Sequence, residues 1–418
     1  MSSLSAIRNY SLVTAAYWAF TLTDGALRML VLLHFHELGY TPVQLAFLFL
    51  FYELFGVVTN LLGGWIASRM GLRVTLLGGL ALQVVSLVLL GMVNPAWPKL
   101  TSVGYVMSAQ SLSGIAKDLT KMSAKSTTKL LVPETNESSL FKWVAILTGS
   151  KNALKGVGFF LGGLLLTAWG YRHALFGMAA ALFIVLAGSF FSLPRGLGKS
   201  KSKSKFKGLL SKTREVNILS AARFFLFGAR DIWFVVGVPV FLSENLGWGF
   251  AEIGTFLAVW VIGYGVIQSG APLLIGRWTG GRAPQGRTAQ VLAFVLAGVT
   301  AIVAAGIVAG YAPVVVILVG LGIFGAVFAV NSSVHSYLIL AYSDGDKVAT
   351  NVGFYYMANA GGRLVGTLLS GVMFQVAGVT GCLWTSVAFA AMAGVVSLGL
   401  PKKESSTLMT EMKTEGAD

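Results

Sequence analysis

Long apolar runs separated by short polar breaks make up most of this chain, and their lengths lie near the ~20 residues that cross a bilayer as a helix. Read run by run, the pattern predicts helical spans at 10–35, 43–67, 74–93, 101–124, 138–168, 172–193, 216–242, 250–275, 288–309, 313–341, 347–375 and 379–400. The fourth and fifth carry lysines that depress their hydropathy. The expected fold is an all-α membrane protein with twelve spans.

Composition supports the same class. Of 418 residues, 55% are hydrophobic and 11% charged, and the mean hydropathy is +0.76. A soluble chain needs far more surface charge than this. The opening MSSLSAIRNY lacks the basic stretch, short apolar core and cleavage site of a secretory signal, so the first span is expected to direct its own insertion. A single cysteine, Cys382, rules out an intrachain disulfide and a thiolate metal cluster within one chain.

The net charge of +15 would suggest nucleic acid in a soluble protein. Here much of it falls in short loops on one side. PRGLGKSKSKSKFKGLLSKTRE alone carries eight cations, whereas loops on the other side hold little beyond Lys99 and Arg172. The positive-inside rule then puts both termini in the cytoplasm of a multi-pass plasma-membrane protein. The Lys/Ser-rich stretch divides the chain into an N-terminal bundle (1–193), a basic linker (194–215), a C-terminal bundle (216–400) and a tail (401–418). No nucleic-acid partner is expected, only lipid and a small anionic substrate.

The halves echo each other at one register. LGY at 38–40 returns as LGW at 246–248; Arg69 returns as Arg277, Gly114 as Gly322, Gly158 as Gly366, Gly170 as Gly378, and Lys155 as Arg363, each 208 residues on. Six helices duplicated in parallel resemble the plan of the major facilitator superfamily, whose substrate site lies at midplane between the halves. Gly64, Arg69, Gly71 and Arg73 in GWIASRMGLR stand at the spacing of that superfamily's signature turn, although Ser68 occupies its acidic position.

Charges inside the spans carry the chemistry. Seven cations, Arg28, Lys117, Lys121, Lys151, Lys155, Arg230 and Arg363, face four acids, Asp24, Glu53, Asp118 and Asp231. An ionised side chain at bilayer centre costs ~2.5–3.5 kcal/mol on insertion scales. Such groups are expected to line a wet interior or to pair. Asp24 with Arg28 is the favourable i,i+4 order, and Asp118 reaches Lys121 at i+3. Arg230 and Asp231 are adjacent and are expected to find partners on other helices.

Even complete pairing leaves positive charge over, which calls for an anionic ligand or for neutral lysines. In IAKDLTKMSAKSTTKLL the lysines at 117, 121, 125 and 129 recur along one helix face. They form a funnel for anions from the cytoplasm towards Lys155 and Arg363, with Lys129 expected to snorkel. The predicted cargo is a small, multiply charged organic anion. Proton coupling, if present, would use Asp24, Glu53, Asp118 or Asp231.

Weaker signals add little. Asn351, Tyr355, Tyr356 and Asn359 precede Arg363 at helical spacings and are placed either to meet the cargo or to pack. His335 is a lone histidine within a span. His34 and His36 point apart on a helix and do not make a metal site. Gly320, Gly322 and Gly325 spell G-x-G-x-x-G inside an apolar run with no preceding strand, which excludes a dinucleotide loop. No catalytic motif or cofactor site is evident, and an enzyme is not expected.

ALRMLVLLHFHELGY, GIAKDLTKMSAKS and LFKWVAILTGSKNALKGVGFFLGG together resemble the bacterial ArsJ organoarsenical efflux permeases, with likeness over essentially 1–400. That resemblance implies export of 1-arseno-3-phosphoglycerate from a bacterial inner membrane. It also implies functional pairing with a glyceraldehyde-3-phosphate dehydrogenase that makes the ester, and arsenate resistance as the outcome. It carries no residue-level site. A phosphorylated-metabolite or organic-anion exchanger, and a transporter-like sensor, remain the alternatives on residues alone.

Overall fold

The computed structural model describes the backbone at 3–131, 137–194, 213–278, 284–343 and 348–401, with side chains except at 3–6, 63–70, 125–131, 137–149 and 348–350. Lys125, Lys129, Ser68, Arg69 and most of the basic linker therefore lie outside the described residues or side chains. Among the described residues all regular structure is helical: α1 (Ser3–Glu37), α2 (Pro42–Leu48), α3 (Leu50–Met70), α4 (Leu72–Gly91), α5 (Lys99–Leu131), α6 (Glu137–Ser192), α7 (Arg214–Phe234), α8 (Gly237–Leu246), α9 (Phe250–Trp278), α10 (Gly286–Val308), α11 (Pro313–Ala341) and α12 (Val348–Ser397). Among the described residues, eight segments are long and apolar enough to cross a membrane. Outward-facing Ile184, Phe191, Leu273, Ile302 and Val376 are each more than 70% exposed, as expected where the solvent is lipid.

Local chemistry sets the boundaries. Before α2, Gly39 takes φ 72, a conformation only glycine adopts cheaply. Thr41 and Gln44 then form a capping box, with Pro42 in the first turn. At exactly the 208-residue offset, Gly247 has φ 66 and the Gly249 N–H donates to Glu252 at 2.7 Å, as Thr41 N–H does to Gln44 at 3.0 Å. α6 breaks at Gly170 (φ 70) and α12 at Gly378 (φ 61), again 208 apart.

Two runs expected to be continuous are interrupted. Phe49 separates α2 from α3, and 235–236 separate α7 from α8. At the second break the amides of Val236 and Gly237 have lost their helical acceptors, and both donate to Ser370 Oγ at 3.1 Å. Within the run 232–242, Gly237 and Pro239 are the local signal for this break, since a proline ring lacks the donor for, and clashes with, the carbonyl four residues back. The compensating hydroxyl comes from α12.

α1 packs on α6 and α7 on α12, while α6 meets α9 and α12 meets α2 and α3 across the two halves. Backbones come close at these seams. A Cβ added at Gly163 would lie 2.3 Å from the Phe250 oxygen, and one at Gly371 would lie 2.4 Å from the Pro42 oxygen. Both contacts sit near the end of the bundle that carries the 38–41 and 247–249 turns. Within the N-terminal half, a Cβ at Gly158 would lie 2.6 Å from the Leu22 oxygen, whereas one at Gly322 meets open space. Gly158→Ala should therefore lower the thermal unfolding midpoint in detergent, at a cost of about 1–3 kcal/mol. Gly322→Ala should be neutral or slightly stabilising through helix propensity.

Candidate functional site

The site is built outward from Glu53 on α3, which is fully buried. Its Oε1 accepts from Arg28 Nη2 of α1 at 2.9 Å and from Arg363 Nη2 of α12 at 2.6 Å. Lys117 Nζ of α5 lies 3.9 Å from its other oxygen and 4.0 Å above the Tyr52 ring. One carboxylate thus holds three cations from three helices. Arg363 reaches onward, its Nε donating to Asp231 Oδ2 at 3.1 Å, while Arg230 Nε donates to Asp231 Oδ1 at 2.6 Å. The chain Arg28–Glu53–Arg363–Asp231–Arg230 therefore runs without a gap from one half of the molecule to the other.

Two of the expected pairings are corrected. Asp24 does not pair with Arg28. It accepts from Tyr52 Oη at 2.6 Å, and Arg28 extends past it to Glu53, lying 5.3 Å from the Phe49 ring centre and 5.7 Å from that of Tyr52. Arg230 does pair with its neighbour Asp231, because its long side chain folds back to bring both heads together. The Asp118–Lys121 pair forms, and Asn60 bridges it, donating to Asp118 at 3.1 Å and accepting from Lys121 at 2.7 Å.

These groups surround a cavity of about 210 Å³ lying between the halves. All seven cations singled out from the sequence line it, as do Asp24, Asp118, Tyr356 and Asn359. Glu53 and Asp231 stand directly behind the wall through their arginine contacts. Tyr355 does not line it. That ring is buried and lies 5.0 Å from the Arg223 guanidinium, so it shapes an arginine instead of meeting the cavity. Asn351 is likewise turned away, donating to Ser343 Oγ at 3.2 Å. His335 is fully buried and outside the lining.

Arg223 of α7 is the lining cation that sequence reasoning passed over. It sits seven residues before Arg230, two turns away on the same helix face, and that spacing was the available signal. With it the lining holds eight cations: Arg28, Lys117, Lys121, Lys151, Lys155, Arg223, Arg230 and Arg363. Four carboxylates lie in or behind the wall. Among the described residues neither Lys155 nor Arg223 has a carboxylate within 4.0 Å. Aromatic Phe20, Phe159, Phe227, Phe234 and Trp260 make up most of the apolar remainder, which lowers the local dielectric and strengthens the field of the surplus charge.

A helical membrane protein whose two halves enclose a charged, water-accessible cavity is built as a carrier of small solutes. Residues 13–287 match the Major Facilitator Superfamily, and the chain belongs to that superfamily of secondary-active transporters, not to an enzyme family. No curated protein matches it.

Glu53 is the group whose loss should be felt most widely. Glu53→Gln leaves Arg28, Arg363 and Lys117 without their shared counter-charge. Breaking a buried ion pair in this way costs about 3–5 kcal/mol. The thermal unfolding midpoint of the purified protein should fall accordingly, and added inorganic phosphate should raise it more in the variant than in the parent.

Proposed function

We propose that this transporter carries a small organic anion bearing two oxyanion groups, and that it moves the anion outward by alternating access. The observation that carries this reading is the cavity's excess of cations over carboxylates. An ionised surplus in an apolar wall is costly unless a mobile anion completes it. Arginine suits bidentate capture of phosphate-like groups, and lysine supplies a movable point charge. A phosphate monoester brings about −1.5 to −2, so a second oxyanion suits the remainder. The modest cavity volume fits a cargo smaller than a drug-sized ligand.

The same reading takes the breaks at Gly170 and Gly378 as divisions of α6 and α12 into two spans each. With α2–α3 and α7–α8 each counted as one span, this makes twelve spans in two parallel six-helix repeats, 1–193 and 216–400. The linker 194–215, the tail 401–418 and both termini are then cytoplasmic. The glycine-tight seams lie at the opposite end of the bundle, so the state at hand is closed outside with its cavity towards the cytoplasm. This is the loading state of an exporter.

The resemblance to the ArsJ permeases supports 1-arseno-3-phosphoglycerate as the cargo, delivered by a partnering glyceraldehyde-3-phosphate dehydrogenase in a bacterial inner membrane. The wall chemistry is compatible with pentavalent arsenic. Its donors are nitrogen and oxygen groups, and the soft thiol that trivalent arsenic prefers is present only as buried Cys382, outside the cavity. That chemistry treats phosphate and arsenate alike, which favours as second reading an exchanger of phosphorylated metabolites. If protons are coupled, Asp24 is the best placed of the four acids. Among the described residues it alone has no cation within 4.0 Å.

Everted vesicles given arsenate, the dehydrogenase and its substrate should accumulate arsenic. Uptake of a generic phosphorylated metabolite instead would establish the second reading, and binding without uptake would make the protein a sensor. Lys155→Ala should reduce uptake at least about tenfold, as expected for losing one charge-assisted contact to an oxyanion, while the protein still inserts. Unchanged uptake in that variant would remove Lys155 from the site.

A further inference from the structure

Hydrogen-bond donors outnumber acceptors at one end of the cavity, quite apart from the count of charges. Ser332 Oγ is approached by Arg223 Nη1 at 3.1 Å, Tyr264 Oη at 3.4 Å and Gln268 Nε2 at 3.4 Å. A hydroxyl oxygen has two acceptor lone pairs, so three donors compete for two places. The two 3.4 Å contacts are long for O–H···O and N–H···O bonds. A better acceptor placed among them would draw them away.

Arg223 itself is held for recognition. Its Nε donates to Asn359 Oδ1 at 3.0 Å and its Nη1 to the Ser332 carbonyl at 3.1 Å. The Phe227 ring lies 3.9 Å from the guanidinium carbon and the Tyr355 ring 5.0 Å. Nη2 has no partner among the described residues and is not among the buried unsatisfied atoms, so its hydrogens are open to the cavity. With Nε and Nη1 engaged, Nη2 keeps its own two N–H groups on a charge whose position is already fixed, which pre-organises it to donate to an oxyanion. Lys155 Nζ, on the N-terminal half, is also without a hydrogen-bond partner and open to the cavity.

We propose that Arg223, with Tyr264 and Gln268, forms a distinct oxyanion subsite in the C-terminal half. This subsite takes the second anionic group of a doubly charged cargo, while the first meets Lys155. The proposal rests on the anion-carrier reading and adds selectivity to it. Arg223 makes the cavity prefer bis-oxyanions to mono-oxyanions. Because Gln268 also accepts from Asn152 of α6 at 3.0 Å, filling the subsite perturbs a contact between the halves.

The test uses the purified full-length protein with two probes of similar size, glycerol 3-phosphate and 3-phosphoglycerate, the latter adding a carboxylate. Binding is read from ligand-induced shifts of the unfolding midpoint. The parent should bind 3-phosphoglycerate more tightly. Arg223→Gln should erase that preference, a loss of about ten- to a hundredfold for a charge-assisted contact, with glycerol 3-phosphate affinity nearly unchanged. Arg223→Lys keeps the charge without the contacts that fix its position and should retain part of the preference. If the parent binds neither probe, the anion-carrier reading falls and the subsite with it. If the parent shows the preference and Arg223→Gln keeps it, only the subsite is overturned. If both affinities collapse together in both variants, Arg223 is a structural strut and the subsite is likewise overturned.

Discussion

Everything in the middle of this molecule depends on how Glu53 shares its charge. A carboxylate with no exposed surface is tolerable only among cations, and here Arg28, Lys117 and Arg363 surround it. These three arrive on α1, α5 and α12, so the requirement to neutralise one acid brings helices from both halves together. The excess that remains elsewhere on the wall is thereby freed for a ligand. Had each cation its own carboxylate, the cavity would be a neutral seam with no reason to attract an anion.

Some backbone features recur along the chain at positions where the chemistry does not. The turns at Gly39 and Gly247 and the breaks at Gly170 and Gly378 lie 208 residues apart, whereas the interruptions at Phe49 and at 235–236 fall opposite unbroken stretches of α9 and α1. The charged positions mostly do not recur. At that offset Asp24 corresponds to Ile232, Glu53 to Val261 and Lys117 to Gly325, with Lys155 and Arg363 as the exception. A turn or a helix break needs only a local backbone geometry, whereas a substrate that is not itself symmetric needs different groups on its two sides.

Much of this was legible in the sequence, for physical reasons. Apolar runs of bilayer length mark helices directly, and the repeated glycines mark where long helices break. All seven intramembrane cations read from the chain line the cavity, because a charge inside an apolar run has few other tolerable places. The interruption at Phe49 was not legible, whereas the one at 235–236 was marked by Pro239 and passed over within an apolar run of bilayer length. What the sequence could not give is the group that meets the cost of that break, a distant hydroxyl on Ser370. Partners were also hidden. Spacing suggested Asp24 for Arg28, but side-chain reach across helices decided for Glu53. Tyr355 shared a helical face with Arg363 and yet points at Arg223, and Arg223 itself stood in view two turns from Arg230.

The arginine at 363 touches acids on both sides of the molecular divide, and its two grips are unequal in consequence. If the halves separate at α3 and α12, Arg363 can keep Asp231 within its own half, and Glu53 can keep Arg28 and Lys117 within the other. Neither partner is stranded, so the bridge parts without the penalty that usually makes a buried ion pair permanent. A bridge with that arrangement of reserves is suited to open and close, as a reversible transport cycle requires.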